Sequence, residues 1–190
     1  MSIPKEISMS NFPAPGVYTV DVAHSRIGFV ARHLVVSKVR GNFTQFEGTV
    51  TIGDTPENSS VTASAQAASI TTNNDMRDGH LQSADFLDAT NHPQITFVST
   101  SVSPKGDNEY ALTGDLTIRG VTKSVTFDLE FTGAGASMQP GVQVAGFEAR
   151  TEIDRRDFGV NFEGVLENGT AVVSHKIVLE LEVELASQAA

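Results

Sequence analysis

The sequence contains no cysteine and no tryptophan, and few basic residues. Without cysteine there can be no disulfide, thiolate metal site, Cys-x-x-Cys redox pair or cysteine nucleophile. The fold therefore does not depend on the redox compartment. Thirteen Lys and Arg stand against 23 Asp and Glu, a net charge of −10. Nucleic-acid binding needs clustered positive charge, so this balance speaks against a phosphate-tracking surface. No apolar run approaches the roughly 18 residues of a membrane span. Residues 1–16, MSIPKEISMSNFPAPG, lack the basic-then-apolar pattern of a signal peptide, and a cytoplasmic location is the expectation. Also absent are the Gly-x-Ser-x-Gly elbow, His-Glu-x-x-His, a phosphate-binding Gly-Lys-Ser/Thr loop and a dinucleotide glycine pattern. The common enzymatic routes go with them.

What is present is phenylalanine: 11 Phe against 2 Tyr. Phe buries large area without a polar group to satisfy, so a bulky, chemically plain interior is expected. The length of 190 residues suits one domain, and 39% hydrophobic content can build its core without staples. Period-2 alternation dominates, as half-buried strands require. It runs through Ile27, Phe29 and Ala31; Phe46, Gly48, Val50 and Ile52; and Leu112, Gly114, Leu116 and Ile118. It returns in Val125, Phe127, Leu129 and Phe131, in Ala145 to Ile153, and in Ile177 to Leu185. On that last strand Glu180, Glu182 and Glu184 face solvent and guard the strand against intermolecular pairing. The pattern predicts an antiparallel barrel or sandwich. One short helical segment is expected near residues 83–88, with Ser83 as its cap and Pro93 limiting its length. A single domain spans 16–186, with an extension over 1–15 and a tail over 187–190.

Polar groups of chemical interest are scattered. Asp21, His24 and Ser25 coincide, but in an extended run residues 21 and 24 point to opposite faces, and a turn-stabilising histidine is expected. His33, His80 and His92 occur singly, with no spacing that supports a metal site. The densest polar group spans residues 74–81; a loop stapled by an Arg77–carboxylate pair is expected there, with Arg77, Asp78 and His80 as weaker candidates for contact with a ligand headgroup. Asp154 and Asp157 flank Arg155 and Arg156, which reads as a surface salt-bridge cluster. Alternation alone does not separate phenylalanines that fill a core from phenylalanines that line a cavity.

Several ordered strings resemble the YceI-like polyisoprenoid-binding family. They include Tyr18-Thr-Val-Asp21-x-x-His24-Ser25, Phe29 to His33-Leu-x-Val-Ser37-x-Val-Arg40-Gly-x-Phe43, and Phe46-x-Gly48. Arg77-Asp78-x-His80-Leu81-x-Ser83-x-Asp85-Phe86 and His92-Pro93-x-Ile-Thr-Phe97 follow. Gly114-x-Leu116 to Lys123, Gly146-Phe147 and Arg156-x-Phe158-Gly159 complete the set. Many relatives carry Trp where this chain has Tyr18, and many are periplasmic. The resemblance implies an extended eight-stranded antiparallel lipocalin-like barrel holding an isoprenoid or fatty-acyl lipid, without a cofactor, metal or catalysis. Phe29, Phe46, Phe97, Leu116, Ile118, Phe127, Leu129 and Phe147 are the candidate lining. A homodimer along an exposed strand edge is compatible with barrel closure. Two rival readings remain: a hydrolase or isomerase using histidines and carboxylates inside the barrel, and a ligand-free structural or interaction barrel with a filled interior.

Overall fold

In the computed structural model, which describes residues 12–188, eleven strands form one antiparallel sheet that closes on itself. They are β1 (Gly16–Val20), β2 (Arg26–His33), β3 (Ser37–Phe43), β4 (Phe46–Ile52), β5 (Ser60–Gln66) and β6 (Ile70–Thr71). After helix α1 (Asp75–Gln82) come β7 (Gln94–Pro104), β8 (Glu109–Ile118), β9 (Val121–Ala136), β10 (Gln143–Asp154) and β11 (Lys176–Ser187). Pairing of β1 with both β4 and β11 closes a ring of eight strands, completed by β5 and β7 to β10. Of the expected extension and tail, residues 1–11 and 189–190 lie outside the described residues.

Three strands, β2, β3 and β6, are continuations of ring strands. Past a 3-10 turn at Val22–His24, β2 follows β1 along β11; β3 precedes β4, and β6 follows β5. Ser25 bridges the break in the first strand. Its hydroxyl donates to the Glu184 carbonyl at 3.3 Å and accepts the Glu184 N–H at 2.9 Å, replacing a ladder partner. β5 leaves the ring after Gln66. A 3-10 turn at Ala67–Ser69 carries it into β6, which pairs only with β3. The barrel is thereby split between β6 and β7, and α1 with the turns that follow packs at the split.

Asn74 caps α1, its side chain accepting the Arg77 N–H at 3.0 Å, and Ser83 is the C-terminal cap. The expected helix at 83–88 is therefore a run of turns, with the helix immediately before it. The local reason is that Asn74 offers an N-cap where the preceding strand ends, while the Ser83 hydroxyl donates back to the His80 carbonyl at 2.7 Å.

The interior has two packed regions. One holds Tyr18, Val50, Val102, Leu112, Phe131 and Leu185, with Phe12 against Tyr110 and Phe131 at ring separations of 5.6 and 6.0 Å. The other, nearer the split, centres on Leu116, Ile153 and Phe158.

Candidate functional site: an apolar cavity in the barrel

An apolar cavity of about 310 Å³ runs through the barrel. All eight candidate lining residues stand on its wall: Phe29, Phe46, Phe97, Leu116, Ile118, Phe127, Leu129 and Phe147. The accessible wall is almost entirely apolar. Since the interior is open, the reading of a barrel filled by its phenylalanines does not stand. Ile27, Ala31 and Phe43 extend the wall along β2 and β3, and Leu81, Phe86 and Leu87 close it beside the split. Phe12, in the N-terminal extension, also reaches the wall; no alternation surrounds it in sequence to mark it.

Two glycines explain why the rings leave space. Gly41 is the cross-strand partner of Phe29, and Gly114 lies on β8 two residues from Leu116, the partner of Phe97. Each phenyl ring lies where the glycine would carry a Cβ: two ring carbons of Phe29 and two of Phe97 lie under 3.0 Å from those positions. The rings are thus laid along the wall, filling a gap in the sheet surface, instead of standing across the lumen. Phe97 then meets Phe127 edge to face at 5.5 Å and 88°.

The polar candidates take structural roles. Asp78 is buried and accepts the Thr72 N–H at 2.8 Å, the Thr72 hydroxyl at 2.6 Å and the Thr71 hydroxyl at 3.0 Å. Burial pushes its pKa up, but these hydrogen bonds together outweigh that and hold it below the ordinary value. Arg77 donates to the Thr72 hydroxyl at 2.7 Å and to the Thr72 carbonyl at 3.1 Å. The segment is therefore stapled through Thr72, without the expected Arg77–carboxylate pair. His80 bonds Asp85 at 2.8 Å and sets its ring edge-on to Phe86 and Phe162, at 5.0 and 5.1 Å. None of Arg77, Asp78 and His80 lines the cavity.

Arg119 holds the turns after α1 in place. With Gly120 it forms the two-residue β8–β9 turn, both residues at positive φ (51° and 74°), as a type I′ turn requires. Its guanidinium donates to the carbonyls of Ala84 and Phe86, the latter at 2.6 Å. Arg119→Ala should cost about 1–2 kcal/mol and speed amide exchange of the segment carrying Phe86 and Leu87, leaving β8 to β10 protected. Hydrogen-exchange mass spectrometry checks this; unchanged exchange there would show that the segment is held by packing alone.

Of the expected surface cluster only Asp154 and Arg156 pair, bidentate at 2.9 and 2.6 Å; among the described residues Asp157 makes no ion pair. The Arg156 guanidinium holds the Asp154 carboxyl well below the usual carboxylate range. Arg155 departs from that expectation. It is 5% exposed, borders the cavity, and donates to the Ser174 and Val160 carbonyls at 3.0 and 2.7 Å. Burial lowers its pKa, and its bonds pin the loop over residues 159–175.

The histidines do not converge, and among the described residues none lines the cavity. Asp21 and His24 do meet, correcting the argument from an extended chain. The turn at Val22–His24 brings the Asp21 carboxylate to 2.9 Å from His24 Nδ1, with Glu184 at 3.9 Å. The Asp21 hydrogen bond, then its charge and that of Glu184, raise the His24 pKa. Ser25 spends its hydroxyl on the β11 backbone. The three therefore stabilise a turn and do not form a nucleophile–base pair.

A family model for the YceI-like domain matches residues 18–185. The chain belongs to the YceI-like family. A UPF0312 protein of Staphylococcus aureus is 40% identical over 171 residues, covering 89% of this chain and 96% of that relative. Among solved structures, Burkholderia cenocepacia BcnA superposes with a TM-score of 0.73 at 26% identity, over 89% of this chain and 99% of its own. The Campylobacter jejuni YCEI protein gives 0.70 at 26% identity, over 99% and 98%. A polyisoprenoid-binding domain from Saccharophagus degradans shares the fold, with a TM-score of 0.65 at 13% identity over 90% and 98%. The YceI-like barrel is thus common to all three, and none of these names is that of an enzyme.

Proposed function

We infer that this protein is a binding barrel that holds the hydrocarbon chain of an isoprenoid or fatty-acyl lipid, for sequestration or carriage. The observation that carries this reading is the cavity: about 310 Å³ of space enclosed by a nearly all-apolar wall. Apolar cavities of this kind stay dry and take up hydrocarbon. At the ~30 Å³ that a water-sized group takes up in a liquid, the space accepts on the order of ten such groups. A prenyl or acyl chain of comparable carbon number fits inside; a longer one would emerge from the barrel. Burying roughly 500 Å² of chain contributes about 12 kcal/mol gross, against association costs of about 4–15 kcal/mol. A pre-formed wall keeps those costs low, since its side chains need no ordering. Selection by length and girth follows, because the wall offers almost no hydrogen-bond pattern to read. The Saccharophagus domain, described as polyisoprenoid-binding, is consistent with this ligand class but shares only the fold.

The test is organic extraction of the purified protein followed by mass spectrometry. A stoichiometric prenyl or acyl lipid is the expected result. Clean extracts, together with no thermal shift on adding prenyl lipids, would overturn the reading.

A further inference from the structure

The hairpin of β2 and β3 has a charge composition opposite to that of the chain. Residues 26–43 contain Arg26, Arg32, Lys38 and Arg40 and no Asp or Glu, in a protein with 23 acidic and 13 basic residues. Its register sets Arg32 opposite Lys38 and Val30 opposite Arg40, so the three cations nearest the tip share one face. The other face carries Phe29 and Ala31 into the cavity wall. Like charges directly opposite one another cost stability. Among the described residues, Arg32, Lys38 and Arg40 make no ion pair that would relieve the cost. Edge protection alone does not account for them: charge of either sign guards a strand edge, and a chain of net charge −10 has acids to spare for it. The glutamates of β11, expected to guard that strand, sit on a strand paired on both sides, with β10 and with β1 and β2.

The tip itself is apolar and strained. Leu34 and Val35 sit at φ 50° and 65°, a region that bulky and β-branched residues rarely adopt. Val35 and Val36 are 71% and 85% exposed. The adjoining loop presents Val165 and Leu166 at 60% and 45% exposure. It is tied to the hairpin by a Leu34 N–H bond to the Val172 carbonyl (3.1 Å) and a Ser174 N–H bond to the Arg32 carbonyl (3.0 Å). That loop also carries Glu163 and Glu167, so the positive charge comes from the hairpin alone.

We propose that this tip is a docking surface for an anionic lipid bilayer. Leu34, Val35 and Val36 enter the headgroup–acyl boundary while Arg32, Lys38 and Arg40 lie against lipid phosphates. Aliphatic groups ringed by Lys and Arg are the chemistry that such an interface accepts. The acidic remainder of the molecule is repelled by the same surface, which fixes the approach with the hairpin foremost. Docking there brings the cavity wall formed by Phe29 and Ala31 next to the bilayer, the source or destination of a lipid chain. The purpose of docking rests on the lipid-binding reading; the docking itself does not.

The test is flotation of the full chain with vesicles of phosphatidylcholine alone and of phosphatidylcholine with phosphatidylglycerol in equal parts. Binding is expected to the anionic vesicles and to weaken steeply with added salt. Each cation is worth about five-fold in partitioning, so the combined Arg32→Gln, Lys38→Gln, Arg40→Gln variant should lose on the order of 100-fold. Val35→Ser with Val36→Ser should weaken binding while leaving the salt dependence intact. Extracted-lipid content and unfolding midpoint are measured on the same samples to show that the variants fold and load. Equal binding to both vesicle types, binding to neither, or a triple variant that partitions like the wild type would each overturn the proposal. So would tip variants that dissociate a self-associated form without affecting flotation. A protein that yields stoichiometric lipid but does not float refutes docking and leaves the cavity reading intact; one that floats but yields none and shows no thermal shift with prenyl lipids does the reverse.

Discussion

Gly114→Val is expected to abolish lipid retention and to lower stability by about 1–3 kcal/mol, the usual cost of overpacking. A Cβ at this position overlaps the Phe97 ring and the Val98 carbonyl. The backbone of a paired strand cannot recede, so the ring must leave the wall, breaking its edge-to-face contact with Phe127. The space it then enters is the lumen, which leaves too little room for the lipid chain proposed to lie there. Gly114→Val combined with Phe97→Leu should recover part of both losses, since a smaller side chain relieves the overlap; the two sites share a contact and will not be additive. Lipid extraction and urea denaturation on the four proteins of this cycle provide the measurement. A Gly114→Val protein that retains its full lipid complement would show that Phe97 has room elsewhere on the wall.

Asp78→Ala should cost about 3 kcal/mol. The substitution strands the Thr72 N–H, buried and without another acceptor, and removes the partner of two threonine hydroxyls. It also releases the relay in which Arg77 donates to Thr72 and Thr72 donates to Asp78, the link between α1 and β6. The same carboxylate makes stability pH-dependent. Its pKa is depressed in the folded protein, so its contribution is complete above the unfolded carboxylate value of about 4. The contribution is lost as pH falls through the lower folded value. Asp154, depressed by Arg156, acts in the same direction. Urea midpoints taken from neutral pH downward should therefore fall below about pH 4, and less steeply in Asp78→Asn, with a remainder from Asp154. An unchanged slope in Asp78→Asn would assign the acid sensitivity elsewhere.

The strands and the inward faces were legible because period-2 alternation is imposed by the pleat itself. Each candidate lining residue lies in an alternating strand or is aromatic, and each stands on the wall. Whether the interior was open was not legible, because it turns on Phe29 and Phe97 lying over Gly41 and Gly114 from neighbouring strands, a register property that no single strand displays. The helix was misplaced for a different reason. Asp75–Gln82 carries Gly79 and only Leu81 toward the cavity, so it shows no apolar stripe, and its existence depends on the Asn74 cap and the Asp78–Thr72 bonds. Asp21 and His24 were kept apart by assuming an extended chain where a 3-10 turn interrupts it. Arg155 looked like its neighbour Arg156; only the fold reveals that one guanidinium turns inward to two carbonyls and the other outward to a carboxylate.

Closure of the barrel by β1 on β11 has a consequence for biosynthesis. Every other ring neighbour is met as the chain lengthens, each strand pairing with one already made. β1, by contrast, finds its second partner only when residues 176–187 have left the ribosome. Until then the nascent sheet is an open ribbon with two unpaired edges and its phenylalanines exposed, the form most prone to misassociation. For this fold, the last strand to be translated both seals the sheet and creates the interior.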